Sequence, residues 1–190
     1  APPRDTETMS NTNIKKYSKI EILGKGSFGT VYLVRHKDEK KKYALKKIKL
    51  HGIPRAEKES TKMELKLLQT LRHPGIVGYK ESFEVNKNTS RHALCIVMQL
   101  CDGGELKEYL DKVLEKRKHV PQHIIMNYFV QMTLALEYMH RHRVLHRDIK
   151  TQNIFLLGNG RLVLGDLGVC KSFTGNNNKE DFTKTSIGTP

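Results

Sequence analysis

"VLHRDIKTQNIFLLGNGRLVLGDLG", residues 144–168, decides how the rest of the chain is read. Two short apolar segments, "NIFLL" and "RLVLG", flank Gly158-Asn159-Gly160, a strong signal for a tight β-hairpin. Before the hairpin stands "HRDIKTQN" (146–153), the densest polar cluster between apolar flanks. Beyond it comes Asp166, held between Gly165 and Gly168. If the first loop lines a cleft, Asp148, Lys150 and Asn153 supply an acid, a cation and an amide at short offsets. Such a set can take a hydroxyl proton, neutralise a γ-phosphate and ligate Mg²⁺, the parts phosphoryl transfer needs. Asp166 is then a second Mg²⁺ ligand, in keeping with the one or two carboxylates that ion usually takes from a protein.

Upstream, the pattern is first one of strands. "YSKIEILGKGSFGTVYLVRH" (17–36) gives an apolar segment, a glycine-rich turn and a run too β-branched and aromatic to favour a helix. "KYALKKIKL" (42–50) reads as a third strand, and "GIVGYKESFEV" (75–85) and "ALCIVMQL" (93–100) as two more. From Arg55 to Leu71 the period is helical, with Leu65, Leu68 and Leu71 on one face and Pro74 as terminator. Past "CDGGEL", Leu106, Leu110, Val113 and Leu114 predict an apolar helical stripe. After Pro121, Ile125, Phe129, Met132, Leu136 and Met139 predict a long amphipathic helix. No internal repeat is visible.

Gly24-Lys25-Gly26-Ser27-Phe28-Gly29 fits G-x-G-x-x-G, but strand residues Val31 and Leu33 follow it. That excludes the strand–glycine–helix order of dinucleotide-binding loops. A hairpin tip lacking side chains can instead lie over a polyphosphate and offer it backbone N–H groups. Lys46 lies inside an apolar strand, where a lysine needs a partner or a ligand. Glu64, on the helix that follows, would aim its ammonium at phosphate oxygens.

Other chemistries find less support. Formal charge is +14, from 34 Lys+Arg against 20 Asp+Glu. Long-range attraction to nucleic acid or anionic membranes could follow, yet the densest basic run is broken by acids and alternating apolar residues. Lysines coating a soluble surface explain it, and neither a specific nucleic-acid partner nor a membrane span is expected. No G-x-S-x-G elbow is present, and "HRHRVLH" lacks the spacing of a helical zinc pair. Three cysteines (Cys95, Cys101, Cys170) without a CxxC suggest neither zinc nor a disulfide framework, and hence a reducing, intracellular compartment. Residues 1–16 lack an apolar signal core and read as a disordered extension, with Met9 a candidate native start.

Glycine loop, strand lysine, H-R-D-x-K-x-x-N and D-x-G occur in one order, and the chain resembles the eukaryotic protein kinases from about Tyr17 to its end. Lys150, two residues after Asp148, is similar to the serine/threonine class. "LRHPGIVGYKESFE", "IVMQLCDGGEL", "VLHRDIKTQNIFL" and "SIGTP" resemble the NIMA-related kinases more narrowly. The resemblance implies an α+β, bilobal fold: a β-rich N-lobe of five strands and one helix (17–98), a hinge (99–101) and a partial, mostly helical C-lobe ending in the activation segment (102–190).

It also implies roles. The loop Gly24–Gly29, with Lys25, Ser27 and Phe28, covers the ATP phosphates, and Lys46 contacts them while paired with Glu64. Val31, Ala44 and Phe155 enclose adenine, Gln99 to Cys101 form the hinge behind gatekeeper Met98, and Glu105 meets the ribose. Asp148 is the base, Lys150 steadies the γ-phosphate, and Asn153 and Asp166 hold Mg²⁺. Arg147 implies control by phosphorylation, by an activating kinase or by autophosphorylation. Thr185 is the expected phosphosite, Ser186 the next, and Thr189 a contact of the catalytic loop. Leu167 replaces the commoner phenylalanine of D-F-G, in a spine with Leu68, Tyr79 and His146. Gln99 stands where glutamate is more usual.

The expected activity is transfer of the ATP γ-phosphate to Ser/Thr hydroxyls of protein substrates. The location implied is cytoplasmic, with centrosomal, basal-body or nuclear work in some relatives. The sequence stops before A-P-E, so a fragment or a truncated product is expected, one exposing an apolar face on the Ile125–Met139 helix. The alternative is a non-catalytic, kinase-like module that retains ATP or a partner.

Overall fold

The computed structural model describes residues 13–26, 29–167 and the backbone of 171–172. The chain forms two compact units: one runs to Glu59 and resumes from Gly78 to Leu100, and the other takes Ser60–Val77 and the chain from Cys101 onward.

The first unit is a five-stranded antiparallel sheet. Its strands are β1 (Tyr17–Gly26), β2 (Gly29–His36), β3 (Lys42–Lys49), β4 (Tyr79–Val85) and β5 (Ala93–Gln99), in the order β1-β2-β3-β5-β4. The segment expected as a strand from Gly75 joins the sheet only at Tyr79. Residues 75–78 leave it, Ile76 making a parallel bridge to Leu164 instead. Successive side chains of a strand point to opposite faces. One face therefore carries Val34, Leu45, Cys95 and Val97, buried with Tyr17, Phe83, Val85 and Ala93. Tyr17 organises this core: its ring stacks on Phe83 at 6.3 Å and meets His36 and Tyr43 edge-on at 5.0 and 6.4 Å. Its hydroxyl donates to Glu81 Oε1 at 2.5 Å. In β5, Leu94 and Ile96 on the opposite face are buried too.

Helix α1 (Arg55–Thr70) starts after Pro54 and has Glu57 in its first turn, where a negative charge suits the helix dipole. Its residues from Ser60 on belong to the second unit, with Glu64, Leu67 and Leu68 buried.

The second unit continues with β6 (Gly104–Glu105), α2 (Leu106–Glu115), α3 (Gln122–Arg141), β7 (Val144–Leu145), a 3₁₀ turn (Thr151–Asn153), β8 (Ile154–Leu156), β9 (Leu162–Leu164) and β10 (Lys171–Ser172). The expected hairpin is β8–β9, with Gly160 at φ 79° in the turn and Leu157 N–H donating to Arg161 O at 2.9 Å across it. β6 joins β8 to complete a three-stranded sheet, and β7 pairs with β10.

Both predicted helices form, their apolar stripes are only partly buried, and the Ile125–Met139 helix exposes an apolar face as expected. On α2, Leu106 is buried but Leu114 is 69% exposed. On α3, Ala135 and Met139 enter the core, whereas Ile125, Met126, Phe129, Val130 and Leu134 are about half exposed. Burial is therefore confined to the C-terminal half of α3, among the described residues.

Candidate active site

In the first unit, β2, β3 and β5 set the candidate residues by register. Lys46 lies opposite Val31 on one side and Ile96 on the other, and Ala44 opposite Leu33 and Met98. Directly opposed residues share a face, so Val31, Ala44, Lys46 and Met98 stand together on the face away from the Tyr17 core. Gly24 and Gly26 are exposed near the β1–β2 tip, Gly26 opposite Gly29. Gly29 adopts φ +138°, and a Cβ there would fall 2.1 Å from Lys47 O, so backbone conformation and space both require glycine. Gln99 is clasped to Gly78: its N–H donates to Gly78 O at 2.7 Å, and its Oε1 accepts from Gly78 N–H at 3.4 Å.

The second unit gathers the polar loop. Lys150 Nζ lies 2.8 Å from Asp148 Oδ2. Asn153 Nδ2 donates to the same oxygen at 2.8 Å and to Asp148 O at 2.9 Å, and Asn153 is only 7% exposed. Two donors on one oxygen fix the rotation of the Asp148 carboxylate. Asn153 N–H closes the turn onto Lys150 O at 2.9 Å.

This loop is tied to the segment carrying Asp166. Gly165 N–H donates to Asn153 O at 3.0 Å, and His146 Nε2–H donates to Gly165 O at 3.0 Å. The carbonyl can only accept and the Asp148 N–H can only donate, here to His146 Nδ1 at 3.4 Å. His146 is therefore the neutral Nε2–H tautomer. Burial lowers its pKa in the same sense. Asp166 follows at φ 51° with its side chain exposed, while Leu167 behind it is buried.

Phe155 and Glu105 complete this group. They are opposed on β8 and β6, and the Phe155 ring lies where a Cβ on Gly165 would come within 2.7 Å. Burial, then the neighbouring charge of Glu108, raises the Glu105 pKa. Burial and then Asp102 push the Cys101 thiol up to about 12. Asp102 Oδ1 accepts from Gly158 N–H at 2.6 Å, which ties the segment after Cys101 to the β8–β9 turn.

The donors at this site are hard oxygens. With both Asn153 Nδ2 protons used on Asp148, Oδ1 is the amide atom suited to a cation, and the exposed Asp166 carboxylate follows Gly165 directly. That set fits Mg²⁺ rather than a softer metal.

Comparison with known sequences decides the family, for residues 17–190 match the protein kinase domain. The chain belongs to the protein kinase family. Its kinase domain is 38% identical over 174 residues to mouse serine/threonine-protein kinase Nek4, covering 92% of this chain and 21% of that protein. It is 39% identical to human serine/threonine-protein kinase Nek5 (92% of this chain, 23% of that protein). The rice serine/threonine-protein kinase Nek3 is 38% identical (93% and 28%). The chain thus spans between 21% and 28% of the length of these curated relatives. The five-stranded sheet followed by helices is the α+β arrangement expected of a kinase domain.

Within the units, the structure brings together Asp148, Lys150 and Asn153, ties Asn153 to the residue before Asp166, and groups Val31, Ala44, Lys46 and Met98. Lys46 belongs to the first unit; Glu64 and Cys101 belong to the second. Glu64 is 5% exposed, and Arg147, next to Asp148, adopts φ 64°. Ser27, Phe28, Thr185, Ser186 and Thr189 lie outside the described residues. Sequence reasoning missed Asp102 and the bridging position of His146 between Asp148 and Gly165. A histidine directly after the apolar Val144-Leu145 pair was the one available signal for the second, and nothing marked the first.

Proposed function

We propose that this chain is the catalytic region of an ATP-dependent serine/threonine protein kinase of the NIMA-related type. The observation that carries the reading is the bonded set Asp148–Lys150–Asn153, joined through Gly165 to Asp166. The names and identities of the relatives support the serine/threonine class.

In this reading the Asp148 carboxylate, its rotation fixed by Asn153 and Lys150, accepts the proton of the substrate hydroxyl. Lys150 then turns its ammonium to the γ-phosphate. Asn153 Oδ1 and Asp166 hold Mg²⁺, which when bound offsets charge on the phosphate oxygens. Gly24, Lys25, Gly26, Ser27, Phe28 and Gly29 cover the phosphates, and Lys46, paired with Glu64, orients them. Val31, Ala44 and Phe155 hold the adenine, Met98, Gln99 and Cys101 line its edge, and Glu105 meets the ribose. Residues 17–98 act as N-lobe, 99–101 as hinge and 102–190 as part of the C-lobe. Arg147 receives the phosphate of Thr185, or of Ser186, placed by an activating kinase or by autophosphorylation, with Thr189 against the catalytic loop. The work is cytoplasmic, with a centrosomal, basal-body or nuclear role on the strength of resemblance.

The test is phosphate transfer from ATP to a generic basic protein by the full chain, followed by phosphoamino-acid analysis. Phosphoserine and phosphothreonine, abolished by chelating Mg²⁺, are expected. Phosphotyrosine alone, or transfer that survives chelation, contradicts the reading.

A further inference from the structure

Upstream of the catalytic loop, residues 73–77 form a turn held from three sides. His73 Nδ1 accepts from Gly75 N–H at 3.0 Å, and Ile76 N–H donates to His73 O at 3.0 Å. The His73 ring stacks on Tyr138 of α3 with centroids 5.0 Å apart, and Tyr138 in turn meets His142 at a tilt of 38° with centroids 4.2 Å apart. Tyr138 Oη accepts from Arg72 N–H at 3.0 Å, and Arg161 Nη2 donates to Pro74 O at 2.9 Å.

The output of this turn is a clamp on β9. Leu164 N–H donates to Gly75 O and Val77 N–H donates to Leu164 O, each at 2.8 Å. Leu164 is thus gripped on both its backbone groups by residues on either side of Ile76. Gly165, the next residue, makes both bonds to the catalytic loop, and Asp166 comes directly after it. Because Asp166 lies in the left-handed region, its direction depends on how firmly the preceding residues are set.

We propose that His73 is a positioning residue for Asp166, its unprotonated Nδ1 fixing the turn that clamps Leu164. The inference rests on the reading of Asp166 as a metal ligand. A backbone N–H can only donate, so the bond to Gly75 requires the neutral imidazole with its proton on Nε2. Burial lowers the His73 pKa and Arg161 lowers it further, against the opposing charge of Glu137 on α3. An Asn side chain can accept from the N–H two residues on in the same manner, which provides a conservative replacement.

The experiment compares His73→Phe, which keeps a ring for Tyr138 but has no acceptor, with His73→Asn, which keeps an acceptor but has no ring. Two quantities are read in the full chain: amide hydrogen exchange at Val77 and Leu164, and Mn²⁺ affinity by electron paramagnetic resonance with a non-hydrolysable ATP analogue. Expected for His73→Phe are faster exchange at both amides and Mn²⁺ binding about 10-fold weaker, as when a residue supporting a metal ligand is lost. His73→Asn is expected to stay within about twofold of the parent in Mn²⁺ affinity. Unchanged Mn²⁺ binding in His73→Phe overturns the proposal, and so does equal weakening in His73→Asn. If the Phe variant does not fold, the Asn variant decides by the same limit. Asp166→Asn is the control: should it leave Mn²⁺ affinity intact, the metal-ligand reading fails and the proposal with it. The exchange data separate that outcome from a failure of the turn itself.

Discussion

At the scale of single residues, the site depends on a few polar atoms with fixed partners. Asn153 does two things at once: its Nδ2 holds Asp148 and its Oδ1 is available to a cation. Asn153→Ala should raise the Mg²⁺ concentration for half-maximal transfer by about 10- to 100-fold. A metal titration at fixed ATP checks this, and an unchanged midpoint would remove Asn153 from the metal site. Thiols give an independent check on burial. Burial pushes Cys95 up to about 11 and, with Asp102, Cys101 up to about 12, so both are protonated at neutral pH. Because the thiolate is the reactive form, native protein near neutral pH should alkylate these two far more slowly than unfolded protein, as peptide mapping would show. Much of this scale was legible in the sequence, because Asp148, Lys150, Asn153 and Asp166 are chemically conspicuous at their spacing. The supporting groups were not. Asp102, Gln131 (whose Oε1 accepts from Leu162 N–H at 2.9 Å) and His73 accept from backbone N–H groups, which nearly every residue carries and no pattern marks.

At the scale of elements, strands and helices could be read from period and punctuation, while their faces depended on neighbours that period does not encode. The β8–β9 hairpin was readable because Gly-Asn-Gly favours one kind of turn. The departure of 75–78 from β4 was not, since Ile76 and Val77 are as strand-like as Tyr79 and Phe83, and Leu164 captures them. Leu114, Ile125 and Phe129 fit a helical stripe yet face solvent, because apolar spacing states what a helix can bury and not what lies beside it. Two predictions belong here. Gly165→Ala would place a methyl against the Phe155 ring, and an overpacked site of this kind costs about 1–3 kcal/mol. Chemical denaturation of the variant measures it. Tyr17→Phe removes the bond to Glu81 from the first unit's core, at a cost of about 1 kcal/mol. Burial and the Glu81 bond raise the Tyr17 pKa above its ordinary value. A raised folded pKa means that the stabilisation is complete below about pH 10, the unfolded value, and is lost as pH rises further. The parent should therefore lose stability above about pH 10 more steeply than Tyr17→Phe. Parallel pH curves would count against that bond.

At the scale of the whole molecule, the order of motifs carried more information than any one of them. A glycine loop, a strand lysine and a D-x-G are each common, and only their succession selects the kinase family. Net charge, by contrast, said little, because +14 spread over lysine-rich surfaces is compatible with many folds. The half-exposed row Ile125, Met126, Phe129, Val130 and Leu134 is the largest apolar feature of α3 left open to solvent. Residues 1–190 should bind a hydrophobic dye, and Phe129→Lys with Val130→Lys should reduce that signal without altering far-ultraviolet circular dichroism. The proposed mechanism turns on Asp148 serving as the base in phosphoryl transfer, and steady-state kinetics of Asp148→Asn in the full chain put that role to the test. Expected is a kcat lower by about 10²- to 10⁴-fold with KM for ATP nearly unchanged. A kcat equal to that of the parent would rule Asp148 out as the base.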